Sequence, residues 1–456
     1  MDTRRTFLRR SALMGGAGLL TTALPGAAAL AQSAGGYKAL VCVFLAGGMD
    51  GHDAVIPSDQ AAYDAWASAR GRLIDLHREA GDDSRERDNL ISIGTQADGT
   101  TLAVPRQLAP LAELQSLGRA AVVANVGPLI VPTKREQART KSVPLPARLM
   151  SHNDQQSTWQ AMAPEGASAG WGGLMMDAFA DARSPFAAVS VSGNPVLLSG
   201  QTTRPFQVAQ GGVQPFHATT GDWAYGGRGV PAALAAHLTA SAASMDSLIA
   251  SDFQDAQRRA VGAVNDLAEM AKDSTAGEAV ALEGNDLSQQ LATVARMISL
   301  RSRLGLSRQV FFVKAGGFDT HDKQHEKLPG LQAKVASAMR AFYDWTVAEG
   351  VAGDVLSFTA SDFGRTLTPN ASGTDHGWGN HHLVVGGAVG GGATRGLVPP
   401  AEEGHDQDHG RGRMIPTLAT DQYVAGLARW FGLSDGQVAD LLPNLGAFDA
   451  RAVSFS

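Results

Sequence analysis

Acidic and imidazole side chains follow an apolar run late in the chain. The run covers residues 309–313, and after a glycine pair it leads to Asp319 and His321. A short apolar run followed by an amphipathic pattern over residues 331–345 predicts a buried parallel strand and its crossover helix. Asp319 and His321 are therefore expected at the carboxyl end of a strand, where open α/β sheets bind ligands.

Two further strands are predicted to lead into a carboxylate. The apolar run at residues 39–45 precedes Asp50, and the run at residues 355–359 precedes Asp362. Parallel strands end at one rim of a sheet, so we expect the carboxylates to approach one another there. Carboxylate oxygens and imidazole nitrogens bind divalent metals such as Zn²⁺, Ca²⁺ and Mg²⁺. The pattern predicts a divalent metal cofactor without choosing among these ions.

A glycine-rich segment nearer the C-terminus adds histidines to this set. Residues 373–382 contain Asp375 and three histidines, including His376 and His381. No other short segment has as many histidines, and we expect His376 and His381 to contribute to metal binding. The alternative is a glycine-rich loop whose histidines bond only to backbone groups.

Ser151 and His152 begin another polar segment. Ser151 followed by Asp154 is typical of a helix N-terminus, because Ser caps helices and an acidic residue stabilises their first turn. If the same N-terminus faces a bound anion, Ser151 or His152 is the residue nearest the chemistry. Both interpretations stay open on these residues alone.

The remaining patterns predict the elements that position these side chains. We expect further strands at residues 120–125, 186–191 and 383–385, and helices at residues 107–117, 171–179 and 417–431. Residues 58–100 are polar, with a solvent-exposed charged connection at 81–88, and residues 193–304 form an irregular and then helical insertion. The predicted fold is one α/β domain over residues 32–456, with a mostly parallel central sheet flanked by helices.

Charge and cysteine content exclude several classes of protein. The chain has 456 residues with a formal charge of −6, and it is not strongly basic, so we expect no nucleic-acid partner. Its single cysteine, Cys42, cannot form an internal disulfide and is expected in the core. A redox protein is disfavoured by the same cysteine count and by the lack of a strand-linked G-x-G-x-x-G.

The N-terminal residues predict an export signal. Paired arginines at positions 4 and 5 precede a weakly apolar stretch that contains Pro25 and closes on an A-x-A sequence at residue 31. This is typical of a twin-arginine signal peptide over residues 1–31, and small residues with Pro25 argue against a membrane anchor. A periplasmic or secreted protein, exported folded and without a membrane span in the mature chain, is expected.

Five segments together resemble a known family. They are residues 44–51, the Ser151-His152 pair with Gln155 and Trp159, and residues 317–321, 361–366 and 374–382. As an ordered set they are similar to the domain of unknown function 1501 family, within the alkaline phosphatase and sulfatase superfamily. The resemblance covers nearly the whole mature chain and implies an alkaline-phosphatase-like fold.

In that superfamily, carboxylates and histidines hold two metals and a Ser or Thr at a helix start is the nucleophile. By position, the resemblance implies Ser151 as nucleophile and the metal ligands Asp50, Asp319, His321, Asp362, and His376 or His381. The chain departs from the pattern at Phe363, where the superfamily commonly has a histidine. His321 also follows Asp319 more closely than usual.

The expected function is that of an exported metal-dependent hydrolase of phosphate or sulfate esters, acting on a small anionic ester or a glycan. A non-catalytic periplasmic binding or assembly protein on the same fold is the alternative, and Phe363 favours it. The sequence identifies no protein partner.

Overall fold

Twelve strands lie in the part of the chain that the computed structural model describes, which comprises residues 36–212, 230–240, 247–391 and 394–456. In chain order, β1 to β12 span Lys38–Leu45, Ile56–Pro57, Ile91–Thr95, Thr101–Val104, Ala120–Gly127, Ala188–Ser190, Phe206–Gln207, Arg308–Ala315, Val355–Ser361, Asn380–Gly386, Thr394–Arg395 and Leu418–Ala419. Their buried runs of Val, Phe, Leu and Ala are typical of strands that are covered on both faces.

Nine of these strands form the central sheet. Its order is β11-β5-β10-β9-β1-β8-β6-β7, with β12 also paired to β5. Strand β10 runs antiparallel to β5 and β9, and the other pairs in this sheet are parallel. The short strands β2, β4 and β3 form a separate antiparallel sheet. The predicted mostly parallel sheet is confirmed.

Strand β1 is central to the position of the candidate site. It pairs on one side with β8 and on the other with β9, so that Leu45 lies opposite both Ala315 and Ser361. The three strands therefore end at the same level, and the loops that follow them meet at one rim of the sheet. Strand β10 runs in the opposite direction and begins at that rim.

Helices flank the sheet in two groups. In chain order, α1 to α12 span Gly51–Ala54, Gln60–Glu79, Ala109–Ser116, Arg135–Thr140, His152–Ala161, Trp171–Met176, Val230–Thr239, Leu248–Ala271, Asp286–Ser299, Gln324–Ala348, Thr420–Phe431 and Asp435–Leu441. In the first group, helix α10 contacts α2, α3 and α9. In the second group, α5 contacts α6, α6 contacts α12, and α12 contacts α11. Both groups pack on the sheet.

The predicted strands and most of the predicted helices are confirmed, with shifts of a few residues at their ends. The polar stretch at 58–100 is the main exception. Helix α2 occupies much of it, and a short 3₁₀ helix at Arg87–Asn89 and strand β3 follow. Arg70 and His77 lie on the buried side of α2 with Trp66. Because these buried residues are polar, the sequence of α2 does not show a clear amphipathic pattern. The connection at 81–88 is also not wholly exposed, since Arg85 is buried.

Four further predictions concern membrane-spanning helices, the signal peptide, Cys42 and the insertion. Within the described ranges, no helix has the length and apolarity needed to cross a membrane. The predicted signal peptide lies outside the described residues. Cys42 is buried, as predicted for a core residue. In the region of the predicted insertion, α8 ends at Ala271 and α9 begins at Asp286.

Candidate metal site

Three side chains from distant parts of the chain form a cluster at the rim where β1, β8 and β9 end. His152 is the first residue of α5, Asp319 follows β8, and His376 precedes β10. Each offers one ligand atom, and the three atoms lie within 4.8 Å of one another. Two imidazoles and one carboxylate are a common ligand set for zinc and related divalent metals. We call His152, Asp319 and His376 the metal-ligand cluster.

The inner nitrogens of both histidines are bound to acceptors. Nδ1 of His152 lies 2.6 Å from Oδ2 of Asp362, and Nδ1 of His376 lies 2.8 Å from the Met150 carbonyl oxygen. Because a carbonyl only accepts, Nδ1 of His376 carries the proton and Nε2 keeps its lone pair when the ring is neutral. Hydrogen bonds of this kind orient the histidines of metal sites.

The outer nitrogens of both histidines face the carboxylate of Asp319. Nε2 of His152 lies 3.5 Å from Oδ2 of Asp319, and Nε2 of His376 lies 3.3 Å from Oδ1. Burial lowers the pKa of His376, and the neighbouring charges of Arg365 and the other histidines lower it further, against the hydrogen bond to Met150. His376 is therefore neutral at physiological pH, which is the form that binds metals.

Arg365 holds Asp319 in place and was not identified from the sequence. It is fully buried and donates to Oδ1 of Asp319 and to the carbonyl oxygens of Gly48 and Thr374, with further bonds to those of Gly47 and Phe318. Partial burial of Asp319 raises its pKa, but the bond and charge of Arg365 outweigh this and the pKa lies below its usual range. Asp319 is thus ionised and fixed.

His321 lies beside the cluster and extends it. Its Nε2 is 2.9 Å from Nε2 of His376 and 3.1 Å from Oδ1 of Asp319. Its Nδ1 lies 3.6 Å from Oδ1 of Asp375, whose other oxygen accepts from Arg411. His321 is therefore placed to act as a further ligand on the solvent side.

Asp362 lies behind His152. It is fully buried and accepts hydrogen bonds from the Gly47 backbone at 3.1 Å and from the Gln156 side chain at 2.8 Å, besides its contact with His152. Its oxygens are thus directed to protein donors, and in this arrangement Asp362 orients a ligand.

Asp50 and His381 lie outside the cluster. Asp50 is buried and forms a salt bridge of 2.5 Å with Arg70, and it accepts from Gln324 at 2.7 Å. His381 accepts from the Asn125 backbone N–H through Nδ1 at 2.9 Å. Burial lowers the pKa of His381 to about 3, so the ring is neutral. The structure does not bring these two predicted ligands to Asp319.

Ser151 is the N-cap residue of α5, as its position predicted, but its hydroxyl does not bond to the helix backbone. It donates to Oδ2 of Asp154 at 2.8 Å, and Asp154 also lies 3.3 Å from the Arg148 guanidinium. His152, the next residue, reaches the cluster instead. The ring of Phe363 forms an apolar wall, with its centroid 4.8 Å from that of His152 and 4.4 Å from that of His376.

Backbone strain accompanies the cluster. Arg148, Met150, Lys323 and Arg411 all have positive φ between 50° and 67°. The left-handed conformation costs a non-glycine residue about 1–2 kcal/mol, and such residues concentrate at functional sites. Met150 bonds to His376 from this conformation, which ties the strained backbone directly to the cluster.

These features define a mostly parallel α/β protein with a histidine and aspartate cluster at the carboxyl rim of its sheet. The chain belongs to the DUF1501 family of proteins of unknown function, whose family model matches residues 37–410. The family named by the resemblance is thereby confirmed. No curated protein matches the chain in a sequence comparison.

Proposed function

We propose that the protein is an exported metal-dependent hydrolase of phosphate or sulfate esters, related to alkaline phosphatases and sulfatases. The observation that supports this best is the orientation of His152 and His376. In each ring the inner nitrogen is bound to a protein acceptor, and the outer nitrogen faces the ionised carboxylate of Asp319. Histidines that bind divalent metals are commonly oriented by such a hydrogen bond from the second ring nitrogen.

In the proposed reaction, His152, Asp319 and His376 would hold a divalent cation, and His321 lies where it could complete the ligand set. When bound, a divalent ion would neutralise charge on the transferred group and favour the deprotonated form of an attacking hydroxyl or water. Phe363 excludes water from one side of the cluster, and the backbone N–H groups at the start of α5 favour an anion there. Ser151 is the proposed nucleophile. Once its hydroxyl leaves Asp154, its oxygen would bond to the phosphorus or sulfur as the ester's alcohol departs with the hydroxyl's proton, and a water would then release phosphate or sulfate from Ser151.

Metal content tests the proposal most directly. We expect about one equivalent of zinc or another divalent metal in the mature protein after mild purification, and less than about a tenth of that in Asp319→Ala, because the only carboxylate of the cluster is lost. The matched control is Asp322→Ala, whose exposed carboxylate bonds to Lys327. Metal-free wild-type protein, or equal loss in both variants, would contradict a metal site.

Turnover is tested with 4-nitrophenyl phosphate and 4-nitrophenyl sulfate in the presence of Zn²⁺, Mg²⁺, Mn²⁺ or Ca²⁺. We expect hydrolysis of one of the two esters, with little activity in Asp319→Ala and in Ser151→Ala. If Ser151→Ala retains full activity, a water and not this hydroxyl is the nucleophile.

A second candidate is a periplasmic binding or assembly protein without turnover. Two observations favour it. The hydroxyl of Ser151 is engaged in a hydrogen bond to Asp154, and Phe363, which cannot bind a metal, packs against His152 and His376. Metal content without hydrolysis of either ester would support this candidate and contradict the hydrolase.

A further inference from the structure

A basic segment borders the metal-ligand cluster. Residues 131–150 contain five cationic side chains and one acidic side chain, although the chain as a whole carries a formal charge of −6. The five are Lys134, Arg135, Arg139, Lys141 and Arg148. A local concentration of positive charge on an acidic protein attracts anions to that part of its surface.

Hydrogen bonds fix the end of this segment against the cluster. The carbonyl of Met150, its last residue, bonds to Nδ1 of His376 at 2.8 Å. Arg148 lies two residues earlier and pairs with Asp154, which accepts the hydroxyl of Ser151. The cationic segment therefore leads directly to the predicted nucleophile.

The start of the segment is held as well. The backbone N–H of Arg135 donates to the carbonyl of Asp406 at 2.7 Å. Ala138 is buried in an apolar cluster that includes Trp378, two residues from His376. The backbone of the segment is therefore attached to the protein at both ends, and its last residue contacts His376 directly.

Most of the positive charge on the segment is accessible. Lys134 and Arg139 each form one ion pair, at 2.8 and 2.7 Å, and both side chains are 68% exposed. Exposed pairs of this kind contribute little stability and exchange readily for other anions. Within the described ranges, Arg135 and Lys141 form no salt bridge, and Lys141 is exposed.

The segment lacks the apolar side chains that insert into membranes. Its large hydrophobic residues Val131, Val143, Leu145 and Leu149 are all partly buried. The exposed large hydrophobic residues of the described chain lie elsewhere. Stable binding to a lipid surface requires buried apolar area as well as charge, so a soluble polyanion is the better match.

We propose that residues 131–150 bind a polyanionic carbohydrate, a chain with several sulfate or phosphate groups, and present one of them to the metal-ligand cluster. The identity of the ester rests on the proposed function. Lys134, Arg135, Arg139 and Lys141 hold neighbouring anionic groups by charge-assisted contacts, and Arg148 binds the group nearest Ser151.

Binding to dextran sulfate, compared with unsulfated dextran of the same length, tests the proposal on the mature protein. We expect the wild type to bind only the sulfated polymer, with an affinity that falls as salt is added. In a K134Q/R135Q/R139Q/K141Q variant the dissociation constant should rise at least about tenfold. A control variant, R72Q/R258Q/K272Q/R451Q, removes four exposed cations from other elements and should change it less than about twofold.

Equal binding of both dextrans, or an equal loss in the control variant, would overturn the proposal. Tighter binding to phosphatidylglycerol vesicles than to dextran sulfate would overturn it in favour of a lipid surface. Metal content and turnover of 4-nitrophenyl esters are measured on the same samples and report on the proposed function separately. None of the four substituted residues belongs to the cluster, so metal content reports on the metal site independently of polyanion binding.

Discussion

His152 has one ring nitrogen inside the protein and the other at the surface of the candidate site. Its Nδ1 bonds to Asp362, which the side chain of Gln156 and the backbone of Gly47 also contact. A buried carboxylate in this position fixes the tautomer and the orientation of the ring. Asp362 thus acts on the site through His152.

Replacing Asp362 by Asn should weaken metal binding while leaving the three cluster residues in place. The loss of the carboxylate removes the charge that stabilises the oriented ring, and changes of this kind cost about 10–100-fold in metal affinity. Competition against a chromogenic zinc chelator measures the affinity. Asp354→Asn, at the opposite end of β9, is the control, and an equal effect of the two substitutions would contradict the role of Asp362.

At the scale of elements, the turn after β1 allows the loops that follow β8 and β9 to pack closely against it. Gly47 has a φ of 117°, and a Cβ atom there would lie 2.3 Å from the backbone nitrogen of Asp319. A Cβ at Gly48 would lie 2.5 Å from the ring of Phe363. Only glycine permits this approach, so the turn brings Asp319 and Phe363 to their positions.

Two Gly→Ala substitutions should therefore have opposite effects. Gly47→Ala should lower the free energy of unfolding by at least about 2 kcal/mol, because of its positive φ and the clash with backbone. Gly71 lies in helix α2 with open space around it, and Gly71→Ala should raise the same free energy by about 0.5–1 kcal/mol. Urea unfolding measures both, and destabilisation of similar size at the two positions would contradict the argument.

The elements themselves were largely predictable, because the buried strands are continuous apolar runs. Placing strand ends at one rim predicted that Asp319 and Asp362 approach each other, and both contact His152 there. His152 itself was predicted as a catalytic residue at a helix start and not as a metal ligand. The partners of Asp50 were not predicted, since Arg70 and Gln324 come from helices α2 and α10 and no local pattern shows that these side chains reach the residue. Arg365 was missed because its contact with Asp319 joins the loops after β9 and β8, and no local pattern shows that contact.

At the scale of the whole molecule, three buried histidines couple folding to pH. Burial lowers the pKa of His52, His381 and His382 to about 3 in each case. Above the ordinary pKa of 6.5 the rings are neutral in both the folded and the unfolded chain. Below it the unfolded chain binds protons that the folded chain does not, so stability is lost as pH falls from about 6.5 towards 3.

Each of these histidines should cost about 1.4 kcal/mol of unfolding free energy per pH unit within that window. Urea unfolding between pH 7.5 and 5 measures the slope while most carboxylates of the unfolded chain are still ionised. His381→Asn keeps an acceptor for the backbone N–H of Asn125 and should reduce the slope by up to the contribution of one histidine, about 1.4 kcal/mol per pH unit. An unchanged slope in this variant would show that His381 is not a source of the acid sensitivity.

The central place of β1 also affects how the chain is synthesised. Its partners β8 and β9 begin about 270 and about 317 residues after it in the sequence. At translation rates of about 5–20 residues per second, the ribosome takes roughly 14–54 s to reach β8 after completing the start of β1. During that interval the apolar strand has neither of its native strand partners, so it is exposed to aggregation until β8 and β9 have been synthesised.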